Sequence, residues 1–161
     1  SIDLVARDPG ETLPLGPHGL ILVSALLHHI PGRWERERLM VELARRLAPG
    51  GVLAVTCWRF QREARLRGRI RAWSELRSSG PGFAAAIDPD ELEAGDHLLG
   101  WQGERAAFRY CHAFEEEELD ALQQVTGLER MARFDSDGRE GRLNTYLLLR
   151  SPCSTEGEKR R

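Results

Sequence analysis

The chain has 161 residues, 41% hydrophobic and 30% charged, with 23 basic residues against 25 acidic ones. Such proportions describe one globular domain and exclude a low-complexity tail, and a chain of this length hides about 70% of its unfolded surface without help from staples or metals. The formal net charge of −2 removes any whole-molecule pull toward nucleic acid, so binding of that kind requires a local basic patch.

Along the chain, Ile2 to Ala6 reads as a short strand, followed by two clusters of structure breakers, Asp8-Pro9-Gly10 and Leu13-Pro14-Leu15-Gly16-Pro17. Leu20 to Ser24 is an aliphatic run without polar alternation, the pattern of a strand buried on both faces in a parallel sheet. Ala25 to Ile30 leaves that strand with adjacent histidines, His28 and His29. Leu39, Met40, Leu43 and Leu47 recur at helical spacing and predict a helix from Trp34 to Ala48, stopped by Pro49-Gly50-Gly51. Val52 to Cys57 is the next strand, so strand, helix and strand form a right-handed parallel crossover.

Trp58 to Arg77 carries seven arginines against two glutamates, on a chain that is otherwise acidic. Two readings are open: a helix with a solvated basic face, Ile70 and Trp73 turned inward, or a phosphate-binding footprint. Ser78 to Gly82 is a break and Phe83 to Gly103 a mixed loop. Glu115 to Thr126 is a helix with acidic residues at its N-terminus, where the dipole favours them, ended by Gly127. Leu128 to Phe134 and Leu143 to Arg150 predict an antiparallel hairpin around Asp137-Gly138, and residues 151–161 a polar tail.

Cys57, Cys111 and Cys153 are odd in number and widely spaced, which suits reduced thiols in a cytoplasmic protein, and five scattered histidines show no metal spacing. No apolar run approaches the roughly 18 residues of a spanning helix, and Ser1 to Arg7 lack the form of a secretory signal.

The ordered set Leu13-Pro14-Leu15, Ser24-Ala25-Leu26-Leu27-His28-His29-Ile30-Pro31 and Leu47-Ala48-Pro49-Gly50-Gly51 resembles the class I S-adenosylmethionine-dependent methyltransferases. The resemblance implies an α/β fold, a Rossmann-like sheet of parallel strands closed by an antiparallel hairpin. It also implies S-adenosylmethionine as cofactor, held by Asp8, Leu13, Ser24, Leu26, His28 and His29. The family's glycine-rich first loop and the acid after its second strand have no counterpart here, so the expectation is a C-terminal part of such a domain over residues 1–150, starting at the third strand. An arginine-rich insertion occupies about 59–103.

Cys57-Trp58, Gly95-Asp96 with Trp101, Arg109-Tyr110-Cys111-His112-Ala113-Phe114 and Asn144-Thr145-Tyr146 are similar to the tRNA wobble-uridine carboxymethyl methyltransferases. Two positions depart from that pattern, Cys111 where an aromatic is usual and Pro17-His18-Gly19 ahead of the Leu20 strand. The resemblance places Arg109, Tyr110 and His112 beside the acceptor. An acceptor carboxylate is anionic at neutral pH and needs no general base, so Arg109 takes the orienting role and no base is assigned. Arg59, Arg62, Arg65, Arg67, Arg69 and Arg71 would meet the anticodon loop of tRNA, with Trp58 and Trp101 stacking on splayed bases. The subfamily also implies a small zinc-binding activator protein as partner. Two alternatives stand beside this one: a methyltransferase of small metabolites and a non-catalytic, cofactor-free binding protein.

Overall fold

A computed structural model of the chain describes residues 9–76, 89–101 and 107–153. The strand expected at Ile2 to Ala6, Asp8, the break at Ser78 to Gly82, Arg77 and most of the polar tail lie outside the described residues.

A one-turn helix, α1 (Pro9–Thr12), leads into β1 (His18–Val23), then α2 (Arg33–Ala44) and β2 (Leu47–Trp58). β1 and β2 pair in parallel, as the crossover requires, and the hairpin of β6 (Glu129–Ser136) and β7 (Asn144–Arg150) closes the sheet in the order β1-β2-β7-β6, with β7 antiparallel to β2. The helix α5 (Glu116–Thr126) ends at Gly127, whose φ of 66° is the left-handed cap glycine accepts most readily.

Alternation along each strand decides which face is buried. Val23, Leu53, Val55, Cys57, Leu147 and Leu149 point to one side and form the core with Leu39, Met40 and Leu43 of α2 and Leu119 and Leu122 of α5. Leu20 and Leu22 of β1 point the other way and are 65% and 66% exposed, so this strand, expected to be buried on both faces, is covered on one among the described residues. Register places them opposite Val52 and Ala54, and Ala54 opposite Leu148, so the second face is apolar across three strands and reaches Phe134 stacked on Tyr146. Among the described residues, β1 pairs on one edge alone.

Three expectations are corrected. The helix ends at Ala44, and Leu47 already belongs to β2; Pro49-Gly50-Gly51 is an irregularity within that strand, where pairing jumps from His18–Leu47 to Leu20–Val52. Residues 58–77 are not one helix. They form a 3₁₀ turn (Phe60–Arg62), α3 (Ala64–Arg67), β3 (Ile70–Arg71) and α4 (Trp73–Leu76): buried Phe60 and Leu66 each anchor one short turn, and Gly68 interrupts the run. The mixed loop contains β4 (Asp96–Trp101), which joins β3 and β5 (Ala107–His112) in a second, three-stranded antiparallel sheet.

Candidate active site

In a parallel sheet, ligands bind beyond the carboxyl ends of the strands, and here that place is the exit of β1 beside the end of β2. Ser24 is exposed, and Ala25 takes a φ of 52°, a conformation L-residues avoid. Its amide donates to Thr56 Oγ1 at 2.9 Å. The chain then forms a 3₁₀ turn, Leu27–His29, with Leu27 and His28 buried.

The His28 ring lies 4.1 Å from that of His29 and 4.9 Å from that of Trp58, which in turn sits 5.0 Å from Phe60. Burial, then the neighbouring His29 and Arg109, push the His28 pKa down to about 3, so the ring is neutral. Its Nδ1 is buried with no partner among the described residues. His29 is half-buried and its Nδ1 stands 3.1 Å from the Tyr110 carbonyl. A carbonyl only accepts, so Nδ1 carries the proton and Nε2 keeps its lone pair. Burial holds the His29 pKa below 6.5, outweighing that hydrogen bond.

His29, Phe108, Arg109 and Tyr110 line an open cleft of about 460 Å³, with Arg109 exposed on its rim. A second groove, also about 460 Å³, runs along the side of β1 away from β2 and is lined by Leu13, Pro14, Ser24, Ala25 and Leu26 among others. The structure thus brings Leu13, Ser24 and Leu26 to one groove and His29, Arg109 and Tyr110 to the other, while Asp8 is not described.

His112 and the Tyr110 hydroxyl face inward. Tyr110 donates to Asp96 Oδ1 at 2.6 Å, His112 Nδ1 lies 2.6 Å from the same oxygen, and His112 Nε2 lies 2.6 Å from Glu118 Oε2. Burial opposes charge on the His112 ring, but the hydrogen bonds to Asp96 and Glu118 prevail and raise its pKa. Gly95 makes room for this ring, since a Cβ there would come within 2.6 Å of His112 Cε1. The Arg36 side chain is fully buried and reaches Glu93 at 2.5 Å, Glu118 at 2.7 Å and the Ile30 carbonyl at 3.1 Å. Glu93, His112 and Glu118 offer ligand atoms within 4.8 Å of one another, yet Arg36 Nη2 stands among them, 3.3 Å from His112 Nε2, and fills the place of a cation. Sequence reasoning missed Arg36, Glu93, Asp96 and Glu118; only Gly95-Asp96 as part of a motif gave any signal.

The arginine segment divides. Arg59 is 6% exposed and pairs with Glu116 at 2.9 Å, and Arg62 pairs with Asp135 at 2.5 Å and Glu116 at 3.1 Å. Arg65, Arg67 and Arg71 are exposed, and Arg69 is half-buried, its carbonyl taking the Gly100 amide at 2.8 Å. Trp58 is half-buried in the ring contacts around His28; Trp101 ends β4, opposite Ala107. No helix among the described residues is long and apolar enough to cross a membrane.

No protein-family model and no curated protein matches the sequence. Solved structures do. A SAM-dependent methyltransferase of Methanosarcina mazei superposes with a TM-score of 0.60 at 18% identity, over 92% of this chain and 66% of its own. An S-adenosylmethionine-dependent methyltransferase of Clostridium acetobutylicum gives 0.56 at 12%, over 91% of this chain and 63% of its own. The 1,6-didemethyltoxoflavin-N1-methyltransferase of Burkholderia thailandensis, solved with 1,6-didemethyltoxoflavin and S-adenosylhomocysteine, gives 0.53 at 13%, over 92% and 50%. The likeness is one of fold: the chain has the Rossmann-like sheet of methyltransferases, and it spans between half and two thirds of the length of these structures.

Proposed function

We propose that this chain is the rear part of an S-adenosylmethionine-dependent methyltransferase, and that its acceptor is the carboxymethyl group of a wobble uridine in tRNA. The observation that supports the reaction is the fold match at a TM-score of 0.60 over 92% of the chain. The residues present suit the donor. The groove at the exit of β1 is mostly apolar and offers Leu13, Ser24 and Leu26 to an adenosyl group, with the backbone turn at Ala25 beside them. When bound, S-adenosylmethionine supplies an electrophilic methyl group.

The chain's own residues then orient and shield. Arg109 at the cleft rim grips a carboxylate by its guanidinium fork, and neutral His29 offers Nε2 as an acceptor without adding positive charge. Arg65, Arg67 and Arg71, all exposed, belong to the segment that adds β3 to the far edge of the sheet carrying Arg109, and would hold an RNA backbone one strand away from it. tRNA as substrate makes the cytoplasm the place of action, and a small zinc-binding activator protein would be a partner rather than part of the site.

A second reading, a small-molecule acceptor, is favoured by the ion pairs that already neutralise Arg59 and Arg62. The test is methyl incorporation by the full-length protein from labelled S-adenosylmethionine into bulk tRNA at low salt, with and without Arg65, Arg67 and Arg71 changed to glutamate. Incorporation that the triple change abolishes supports the tRNA reading. No incorporation into tRNA, together with methylation of a small acid that the triple change leaves intact, replaces it with the second.

A further inference from the structure

The turn that carries both histidines leaves β1 through a residue in a conformation that costs energy. Ala25 has a φ of 52° without being glycine, and such strain persists only where the surroundings hold it. One side chain does so directly. Thr56, 5% exposed on β2, accepts the Ala25 amide on its Oγ1 at 2.9 Å, across 31 residues of sequence. Two residues further along the same face of β2, the Trp58 ring packs 4.9 Å from the ring of His28.

The turn is therefore gripped twice from one strand, at its start by a hydrogen bond and at its middle by a ring contact. Past Ala25, the His29 amide donates to the Leu26 carbonyl at 2.9 Å and the Ile30 amide to the Leu27 carbonyl at 3.0 Å, so the turn is a single short rigid unit. Its orientation decides whether His29 Nδ1 meets the Tyr110 carbonyl of β5 at 3.1 Å, which is the contact between the main sheet's exit loop and the wall of the cleft.

We infer that Thr56 is a positioning residue: by accepting the Ala25 amide it fixes the left-handed exit of β1 and thereby sets the tautomer and placement of His29 at the cleft. Thr56 touches neither cleft nor groove itself. The kinetic consequence rests on the methyl-transfer reading, whereas the tautomer consequence does not.

The test compares Thr56→Val, which keeps shape and removes the acceptor, with Thr56→Ser, which keeps the hydroxyl. In the full-length protein, nitrogen chemical shifts of the imidazoles are expected to report His29 protonated on Nδ1 in the wild type and in Thr56→Ser, and a mixture of tautomers in Thr56→Val. On the methyl-transfer reading, Thr56→Val lowers kcat on the order of tenfold to a hundredfold with little change in KM for the donor, and Thr56→Ser restores it. If Thr56→Val does not fold, Thr56→Ala is read for the same signature. A folded Thr56→Val or Thr56→Ala protein whose His29 tautomer matches the wild type overturns the inference. Absence of saturable S-adenosylmethionine binding to the wild type overturns the methyl-transfer reading instead, and the nitrogen shifts still decide the role of Thr56.

Discussion

His112 Nε2 lies 2.6 Å from Glu118 Oε2, joining the small antiparallel sheet to the helix that covers the main one. With the ring's other nitrogen on Asp96, the imidazolium is held between two carboxylates and its pKa is raised above 6.5. A raised pKa on folding stabilises fully below the unfolded value and is lost as pH rises through the folded one. The Asp96 and Glu118 pKa values are lowered, so their contribution is present above the ordinary 3.8 and 4.5 and lost as pH falls through the folded values. His28, held neutral in the fold down to about pH 3, and His29, lowered in the same direction, act oppositely, because the unfolded chain takes up their protons first; stability is therefore expected to peak near pH 6.5, to fall on the acid side and, through His112, to decline on the alkaline side. Urea midpoints at several pH values check this: His112→Gln should lack the alkaline decline, and a wild-type midpoint unchanged from about pH 6 to about pH 9 contradicts the account.

Arg36→Leu removes a guanidinium with no exposed surface and leaves Glu118, whose side chain is 14% exposed, facing Glu93 with His112 as the remaining counter-charge. The loss should be about 3 kcal/mol, at the lower end of the range for breaking a buried pair because Glu93 still reaches water. Arg36→Lys should recover part of it, since one ammonium replaces a fork that serves Glu93, Glu118 and the Ile30 carbonyl together. Chemical denaturation of the three proteins ranks them.

Leu119 and Leu122 on α5 are fully buried against the sheet, whereas Val125 of the same helix is 39% exposed. Leu122→Ala should cost about 2–5 kcal/mol, and Val125→Ala less than about 1 kcal/mol. Equal losses would mean that α5 does not pack as described.

Leu20 and Leu22 make the opposite case, apolar and open. Changing both to glutamate should leave the unfolding free energy within about 0.5 kcal/mol of the starting value and reduce self-association seen by light scattering. A large loss of stability would show that this face is covered in solution.

On the methyl-transfer reading, Arg109→Lys should raise KM for a carboxylate acceptor about tenfold more than it lowers kcat, because a point charge replaces a bidentate grip. Steady-state kinetics with the tRNA substrate measure the split. A fall in kcat with unchanged KM would move Arg109 from orientation to the chemical step.

The parallel unit was legible because its strands are uninterrupted aliphatic runs and its helix repeats leucine at the right spacing; β1, α2, β2 and the closing hairpin follow from local pattern. β4 was not, since Asp96-His97-Leu98-Leu99-Gly100-Trp101 has a glycine and a charge in six residues and gains its identity from pairing with β3 and β5. The same holds for the site. Arg109, Tyr110 and His112 stood out as a cluster, but the groups that decide what two of them do lie far off in sequence: Asp96 is 16 residues from His112, and Arg36, near the start of α2, meets its partner Glu118 across 82. Thr56 gave no signal, because a threonine in a strand is ordinary until a distant amide is found on its hydroxyl.

The side of β1 away from β2 has one further consequence. Among the described residues that edge offers its backbone amides and carbonyls to a further strand, with Leu20 and Leu22 exposed for a covering layer, so β1 is where a second piece of chain can add to this sheet. On the methyl-transfer reading, a reporter cut along β1 would complete its donor groove only where the halves are brought together, turning proximity between two tagged molecules into a methyl mark.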